Sequence, residues 1–291
     1  MLLYILNKQR HIFFFHDESI NCYTKFNFQL WNIKNMSINS VNLTTYSSND
    51  GVKSYINTTL QAPEVSILVK YKNLYFNKKI LDIGCGAGRT SFYLQNFTND
   101  YLGVDYSKSM IEFCENNFKN LDFQHYDARD LSGFSDESFD FILFSYNGID
   151  YISHHDRIKA FKEINRVLKK GGSFIFSTHN RNYKDIITKP RLHLSLNPKK
   201  LIINILAFLT QYSNHKKNKA EQIYEDEYAI INDSGNNFSL LTYYIDKDKQ
   251  SRQLSDNNFK LLEMFGMDGK TITENSHDSE NAWIYFVAQK V

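Results

Sequence analysis

Residues Lys79 to Phe92 read KILDIGCGAGRTSF, and the rest of the chain is organised around them. An apolar run, Ile80 to Ile83, enters three glycines at alternate positions, Gly84, Gly86 and Gly88, and a helical pattern begins near Arg89. That is a strand, a glycine turn and a helix N-terminus. The turn needs backbone angles that side chains forbid, and the helix start offers free N–H groups to an anionic part of a ligand.

Two companions stand at the right distances. YLGVDYS ends a second strand in Asp105, about twenty residues past the first glycine, where an acid meets ribose hydroxyls in a nucleotide-binding βαβ unit. LDFQHYDARDL then places Asp127 and Ala128 after a third strand. Three strand-end positions in order describe a pocket for one extended nucleoside. A dinucleotide-binding domain is the nearest competitor, but its fingerprint is GxGxxG and this turn reads GxGxG.

On these residues the sequence resembles the class I S-adenosylmethionine (SAM)-dependent methyltransferases, in the branch similar to ubiquinone-biosynthesis enzymes that act on small molecules. The resemblance covers Tyr46 to Gly172 and, more loosely, the end of the chain. It implies that Asp82, Gly84, Cys85, Gly86 and Gly88 surround the methionine part of SAM, that Asp105 beside Tyr106 holds the ribose, and that Asp127 with Ala128 meets adenine. Arg89 either pairs with the donor carboxylate or is a solvated helix residue. The resemblance also implies a lid ahead of the first strand, with Tyr46, Tyr55 and Glu64 as candidates.

The alternation of strand and helix predicts an α/β fold: a Rossmann-like seven-stranded sheet, mostly parallel with an antiparallel C-terminal strand, and helices on both faces. Pro63 suits the first turn of a helix over 64–71, Ser107 is placed to cap the helix SKSMIEFCENNF, and Gly171 is placed to stop the helix that begins at Asp156. Residues 180–249 read as an insertion after strand five, with a buried or substrate-facing helix over Leu201 to Leu209 and a hairpin turning at Asp233 to Asn237. Above the catalytic face it is a substrate cap; the competing reading is a surface decoration or dimer contact. Residues 1–35 lack a steady period and read as a poorly ordered extension ahead of a methyltransferase domain at 36–291, with Met36 as the start of the functional chain.

Acceptor contacts are expected from Tyr146 and Asn147 in SYNGIDY at the end of strand four, from His179 and Asn180 at the end of strand five, and from Tyr243 and Tyr244, with Tyr46 in the lid. His179 is the candidate base by position, against a reading as a hydrogen-bonded structural residue. His154 and His155 are expected in solvent. Strand four does not end in the Asn/Asp-Pro-Pro-aromatic tetrad with which relatives of this kind grip the amino groups of bases and amides. The implied activity is methyl transfer from SAM to the oxygen or nitrogen of a small molecule: a sugar, an amine or a metabolite hydroxyl. A SAM-binding sensor or non-catalytic partner subunit is the alternative, ahead of a tRNA or protein methyltransferase.

Charge adds little. The 34 Lys and Arg residues stand against 32 Asp and Glu, a formal net charge of +2, so neither nucleic acid nor membrane is expected as a partner. Cys22, Cys85 and Cys114 have no metal-binding spacing, no metal is expected, and their number and placement argue against a disulfide framework and for a reducing cytoplasm. The apolar run from Ile202, IINILAFL, is too short to cross a bilayer.

Overall fold

The computed structural model describes residue 42, residues 59–273 and residues 275–291. The expectations for residues 1–35, Met36, Tyr46 and Tyr55 lie outside the described residues. Immediately before β1 (Ile80–Ile83) lie helices α1 (Ala62–Lys70) and α2 (Lys72–Tyr75). There follow α3 (Ser91–Leu94), β2 (Tyr101–Asp105), α4 (Lys108–Asn117), β3 (Asp122–His125), β4 (Phe139–Phe144), α5 (His154–Val167) and β5 (Leu168–Asn180). Beyond these lie α6 (Pro198–Asn218), β6 (Ile223–Tyr224), β7 (Ala229–Ile231), β8 (Thr242–Ile245), α7 (Lys247–Asp256), β9 (Phe259–Phe265), β10 (Thr271–Ile272) and β11 (Trp283–Lys290).

The strands form one sheet in the order β10-β9-β11-β5-β4-β1-β2-β3. β3, β2, β1, β4 and β5 are parallel, and β11 runs antiparallel between β5 and β9. This is the Rossmann-like, mostly parallel sheet, but it has eleven strands where seven were expected, with β10 added at one edge and β6, β7 and β8 joined beside β5. Successive residues of a strand point to opposite faces, and the core divides accordingly. Leu81, Ile83, Phe174, Phe176 and Phe286 pack with Phe161 of α5 and Leu254 of α7 on one face. Ile80, Phe141, Leu143, Ile175 and Val287 pack with Ile67 of α1 and Ile111 of α4 on the other. The chain leaves β1 toward β2 on one side and β4 lies on the other, so a crevice opens at the carboxyl ends of these strands.

Several local expectations need correction. Helix α5 ends at Val167, not at Gly171, because Leu168 already pairs with Phe139 in the sheet. Gly171 instead has a left-handed φ of 73° inside a bulge, where the register jumps to Phe141 against Ser173. Ser107 is the residue before α4, but its hydroxyl bonds to Ser109 Oγ at 3.0 Å and caps no amide. Helix α6 runs 21 residues, taking in the polar SNHKKN stretch, and none of its residues is buried. Its long apolar run thus faces neither a core nor the crevice.

The segment between β5 and α7 is joined to the sheet itself. β8 pairs in parallel with the tail of β5, His179 opposite Tyr244 and Asn180 opposite Ile245. β7 pairs antiparallel with β8, as the hairpin pattern predicts, and β6 with β7. The side chain of Asn42 ties this ribbon to the crevice rim: Nδ2 donates to the carbonyls of Tyr151 and Leu241 at 2.9 Å each, and Oδ1 accepts from the Leu241 N–H at 3.1 Å.

Candidate functional site

A cleft of about 1030 Å³, open mouth included, lies where β1, β2 and β4 end. Its lining contains Asp82, Gly84, Cys85, Gly86, Arg89, Asp105, Tyr106, Asp127, Ala128 and Tyr146. Nine of the ten donor-site candidates are therefore brought together. Gly88 is the exception. It lies behind the turn with φ at 81°, where a Cβ would meet the ring of Phe118.

The turn is built by β1 delivering the chain into left-handed backbone at Gly84 and Gly86, φ 63° and 55°. A Cβ on Gly84 would come within 2.8 Å of the Phe144 ring, whereas one on Gly86 would meet nothing within 4 Å. Gly86 therefore has open cleft above it. Its N–H donates to Asp105 Oδ2 at 2.9 Å, and the Ser107 N–H donates to Asp105 Oδ1 at 2.8 Å. Each oxygen keeps one lone pair for a ligand. Burial pushes the Asp105 carboxyl up to about 6, against the pull of these two backbone bonds.

Asp82 is buried deeper and serves the turn's own architecture. Its Oδ2 accepts from Thr90 Oγ1 at 2.6 Å and from Tyr101 OH at 2.8 Å. Burial raises it too to about 6.

Arg89 faces the cleft with its fork closed on Glu64 of α1, Nη1 to Oε2 at 2.5 Å and Nη2 to Oε1 at 2.7 Å. Its guanidinium lies 4.9 Å from the centre of the Tyr146 ring. Glu64 also accepts from the Gln61 N–H that opens α1 at 2.7 Å, and from Ser145 Oγ. Burial works to raise the Glu64 carboxyl, but the Arg89 bonds and charge, with Ser145 and Gln61, outweigh it and hold it below its usual value. Asp127 is clasped by its neighbour, accepting from the Arg129 N–H and Nε at 2.9 Å each, and Arg129 reaches on to Asp156 at 3.1 Å.

The acceptor-side candidates divide. Tyr146 lines the cleft, its ring 6.2 Å from that of Trp283, and Tyr151, which the sequence reading did not single out, lines it too. His179 is set back beside Tyr151, ring centres 6.2 Å apart. Its Nδ1 donates to Asp150 Oδ2 at 2.7 Å, as does its own backbone N–H. Asp150 Oδ1 accepts from Arg157 Nη1 at 2.6 Å and Thr178 Oγ1 at 2.7 Å. Arg157 and Asp150 are both fully buried. The imidazole is thus held in one tautomer, with Nε2 left as the basic atom, 3.5 Å from Asn147 Nδ2. Asn147 Oδ1 is buried with no hydrogen-bond partner among the described residues.

Asn180, Tyr243 and Tyr244 do not reach the cleft. Asn180 Nδ2 donates to the carbonyls of Asp278 and Asn281, Tyr244 OH donates to Asp233 Oδ2 at 2.6 Å, and Tyr243 OH bonds to His154 Nδ1 at 2.8 Å. His154 is accordingly not in solvent: its ring stacks on Tyr228 with centres 4.1 Å apart. Asp150 is not among the sequence candidates, although it stands four residues beyond Tyr146, in the 3-10 turn Gly148–Tyr151 that follows β4. Met110, Tyr126 and Phe144 add apolar wall to the lining, and the motifs do not point to them.

Residues 80–172 match the family model described as a methyltransferase domain. The chain is 31% identical over 145 residues to the uncharacterized methyltransferase YcgJ of Bacillus subtilis, covering 47% of this chain and 55% of that protein. It is 32% identical over 114 residues to a demethylmenaquinone methyltransferase of Staphylococcus saprophyticus, covering 37% and 47%. The chain spans about half the length of these curated relatives. A solved SAM-dependent methyltransferase from Clostridium acetobutylicum superposes with a TM-score of 0.55 at 15% identity, covering 92% of this chain and 99% of that one. Residues 80–172 are thus similar to a methyltransferase domain, and the chain has the fold of the SAM-dependent methyltransferases it superposes on.

Proposed function

We propose that the protein transfers a methyl group from SAM to a small organic acceptor. The observation that carries this reading is the Asp105 carboxylate at the end of β2, bonded to the N–H of an open Gly86 and facing the cleft with one lone pair free on each oxygen. Two ribose hydroxyls suit that pair of acceptors. The fit extends to both ends of the nucleoside. The wall of Met110, Tyr126 and Ala128 suits adenine, and Arg89 keeps three of its five N–H donors beyond the two that bond Glu64, enough for the carboxylate of the methionine part.

When bound, SAM supplies an electrophilic methyl carbon for in-line displacement. The chain's own residues align the acceptor and exclude water. Tyr146 and Tyr151 offer flat apolar surface, which together with the demethylmenaquinone methyltransferases among the relatives supports a planar, quinone-type acceptor. In this reading His179, set back behind Tyr151, takes a proton at Nε2 from an acceptor hydroxyl that reaches it, while Asp150 holds the ring and stabilises the charge that results. Titration calorimetry with SAM, S-adenosylhomocysteine and NAD tests the reading. Binding of the first two without the third supports it, and a folded protein that binds neither adenosyl ligand removes it.

A further inference from the structure

Helix α6 is turned inside out. Leu201, Ala207 and Phe208 are half-buried, but the side chains with which its second half meets the body of the protein are amides and an imidazole. Gln211 Nε2 donates to Asn237 Oδ1 at 3.3 Å, Asn214 Nδ2 to the Asn237 carbonyl at 3.0 Å and Asn218 Nδ2 to the Phe238 carbonyl at 3.1 Å, and His215 Nδ1 meets Asn232 Oδ1 at 2.7 Å. Most of its aliphatic side chains face away. Ile202, Ile203, Leu206 and Leu209 are between 55% and 64% exposed. A surface helix in water has the opposite arrangement, apolar stripe inward and polar face outward.

The helical repeat puts residues 202, 206 and 209 on one stripe. Lys199 precedes this stripe and Lys216 and Lys217 follow it on the same outward side, all three exposed. The segment leading into the helix adds Leu192, Leu194 and Leu196, the last with no cover at all. Charge is segregated in the same place. Residues 186–220 hold Lys189, Arg191, Lys199, Lys200, Lys216, Lys217 and Lys219 and no Asp or Glu. The balance of +2 for the whole chain therefore conceals seven positive charges here and a net −5 elsewhere.

We propose that α6 and the segment before it dock on an anionic lipid surface, with the aliphatic stripe in the acyl boundary and the lysines on headgroup phosphates. An apolar face bracketed by cations, on a helix about 31 Å long, is the composition of a helix that lies in the plane of the interface. No helix among the described residues is long and apolar enough to cross a membrane, so α6 lies on the bilayer and does not span it. A second copy of the chain is disfavoured as the occupant. Stacking two such faces would set one cation cluster against another with no acid between residues 186 and 220 to offset it. The proposal does not depend on the identity of the methyl acceptor.

Flotation of the full chain with phosphatidylcholine vesicles, with and without phosphatidylglycerol, tests it. The protein is expected to float with the anionic vesicles, at least about tenfold more weakly with the neutral ones, and to be released by salt. Ile202→Ser, Leu206→Ser and Leu209→Ser together should cut binding about tenfold or more, and Lys199→Glu with Lys200→Glu should remove the anionic preference. These side chains are exposed, so circular dichroism should report unchanged folding. The proposal is overturned by an absence of flotation with anionic vesicles, or by equal binding of the triple serine variant. It is also overturned by a dimer that the same variant converts to monomer, which would assign the face to a second copy.

Discussion

The backbone N–H of Gly86 donates to Oδ2 of Asp105 at 2.9 Å, so the glycine turn after β1 and the acid ending β2 form one hydrogen-bonded unit. Asp105→Ala removes both the ligand acceptor and the brace on the turn. SAM affinity should fall by about 10- to 100-fold, the equivalent of roughly 1.5–3 kcal/mol for a lost charge-assisted bond. Calorimetry decides it, and an unchanged affinity would sink the assignment of the ribose site.

Asp105 and Asp82 are both raised to about 6 by burial, and this has two consequences with defined signs. The folded chain binds protons that the unfolded chain has already lost, so these groups cost stability as pH rises from about 4 to about 6, and the cost is complete above that. Ligand binding runs the other way, because ribose hydroxyls donate to the ionised acid. SAM affinity should therefore weaken as pH falls through about 6, and Asp105→Asn should lose most of that slope. A flat profile between pH 5 and 8 in the unaltered protein would contradict the placement of ribose on Asp105.

His179→Ala should leave SAM affinity within about twofold and lower turnover by about 100-fold with a hydroxyl acceptor. S-adenosylhomocysteine formation measures it. With an amine acceptor, which needs no base, the same variant should be nearly as fast as the unaltered protein. Normal turnover on a hydroxyl acceptor would reduce His179 to a structural residue.

Arg157→Leu should destabilise the fold by about 3–5 kcal/mol, since it leaves the Asp150 carboxylate buried without its cation. Both side chains are fully buried, and Arg157 also bonds Gln250, Gln253 and Thr178. Denaturant unfolding provides the measurement. A loss below about 1 kcal/mol would mean that Asp150 takes a proton in the folded variant at little cost.

The half of the cleft proposed for the donor was legible because each of its features is local. Glycines at Gly84 and Gly86, an acid at the end of β2 and an acid after β3 follow from strand ends and turn geometry, which short sequence windows record. Pairings across distance were not legible. Nothing in the sequence joins Arg89 to Glu64, 25 positions apart, or His179 to Asp150, 29 apart, because such contacts depend on how helices and strand tails are laid over one another. The helix α6 reading failed for a different reason. An apolar run reads as buried or substrate-facing because water normally forces it so, whereas here polar amides and an imidazole anchor the helix, a face that carries no apolar signal. Gly171 was misplaced for a third: an end-of-helix glycine and a bulge glycine share the same left-handed φ, and only the strand register separates them.

The pairing of β8 with the tail of β5 bears on how this chain tolerates truncation. β4 accompanies β5 only as far as Phe176, and β8 takes up the ladder at His179 and Asn180. Without it, the Arg181 N–H, which donates to the Ile245 carbonyl at 3.2 Å, would lose its partner and this stretch of β5 would become an open sheet edge, a template on which other chains add. The segment between the two strands thus serves as a seal against aggregation, and a version trimmed to the minimal sheet would be expected to precipitate before its catalysis could be assayed.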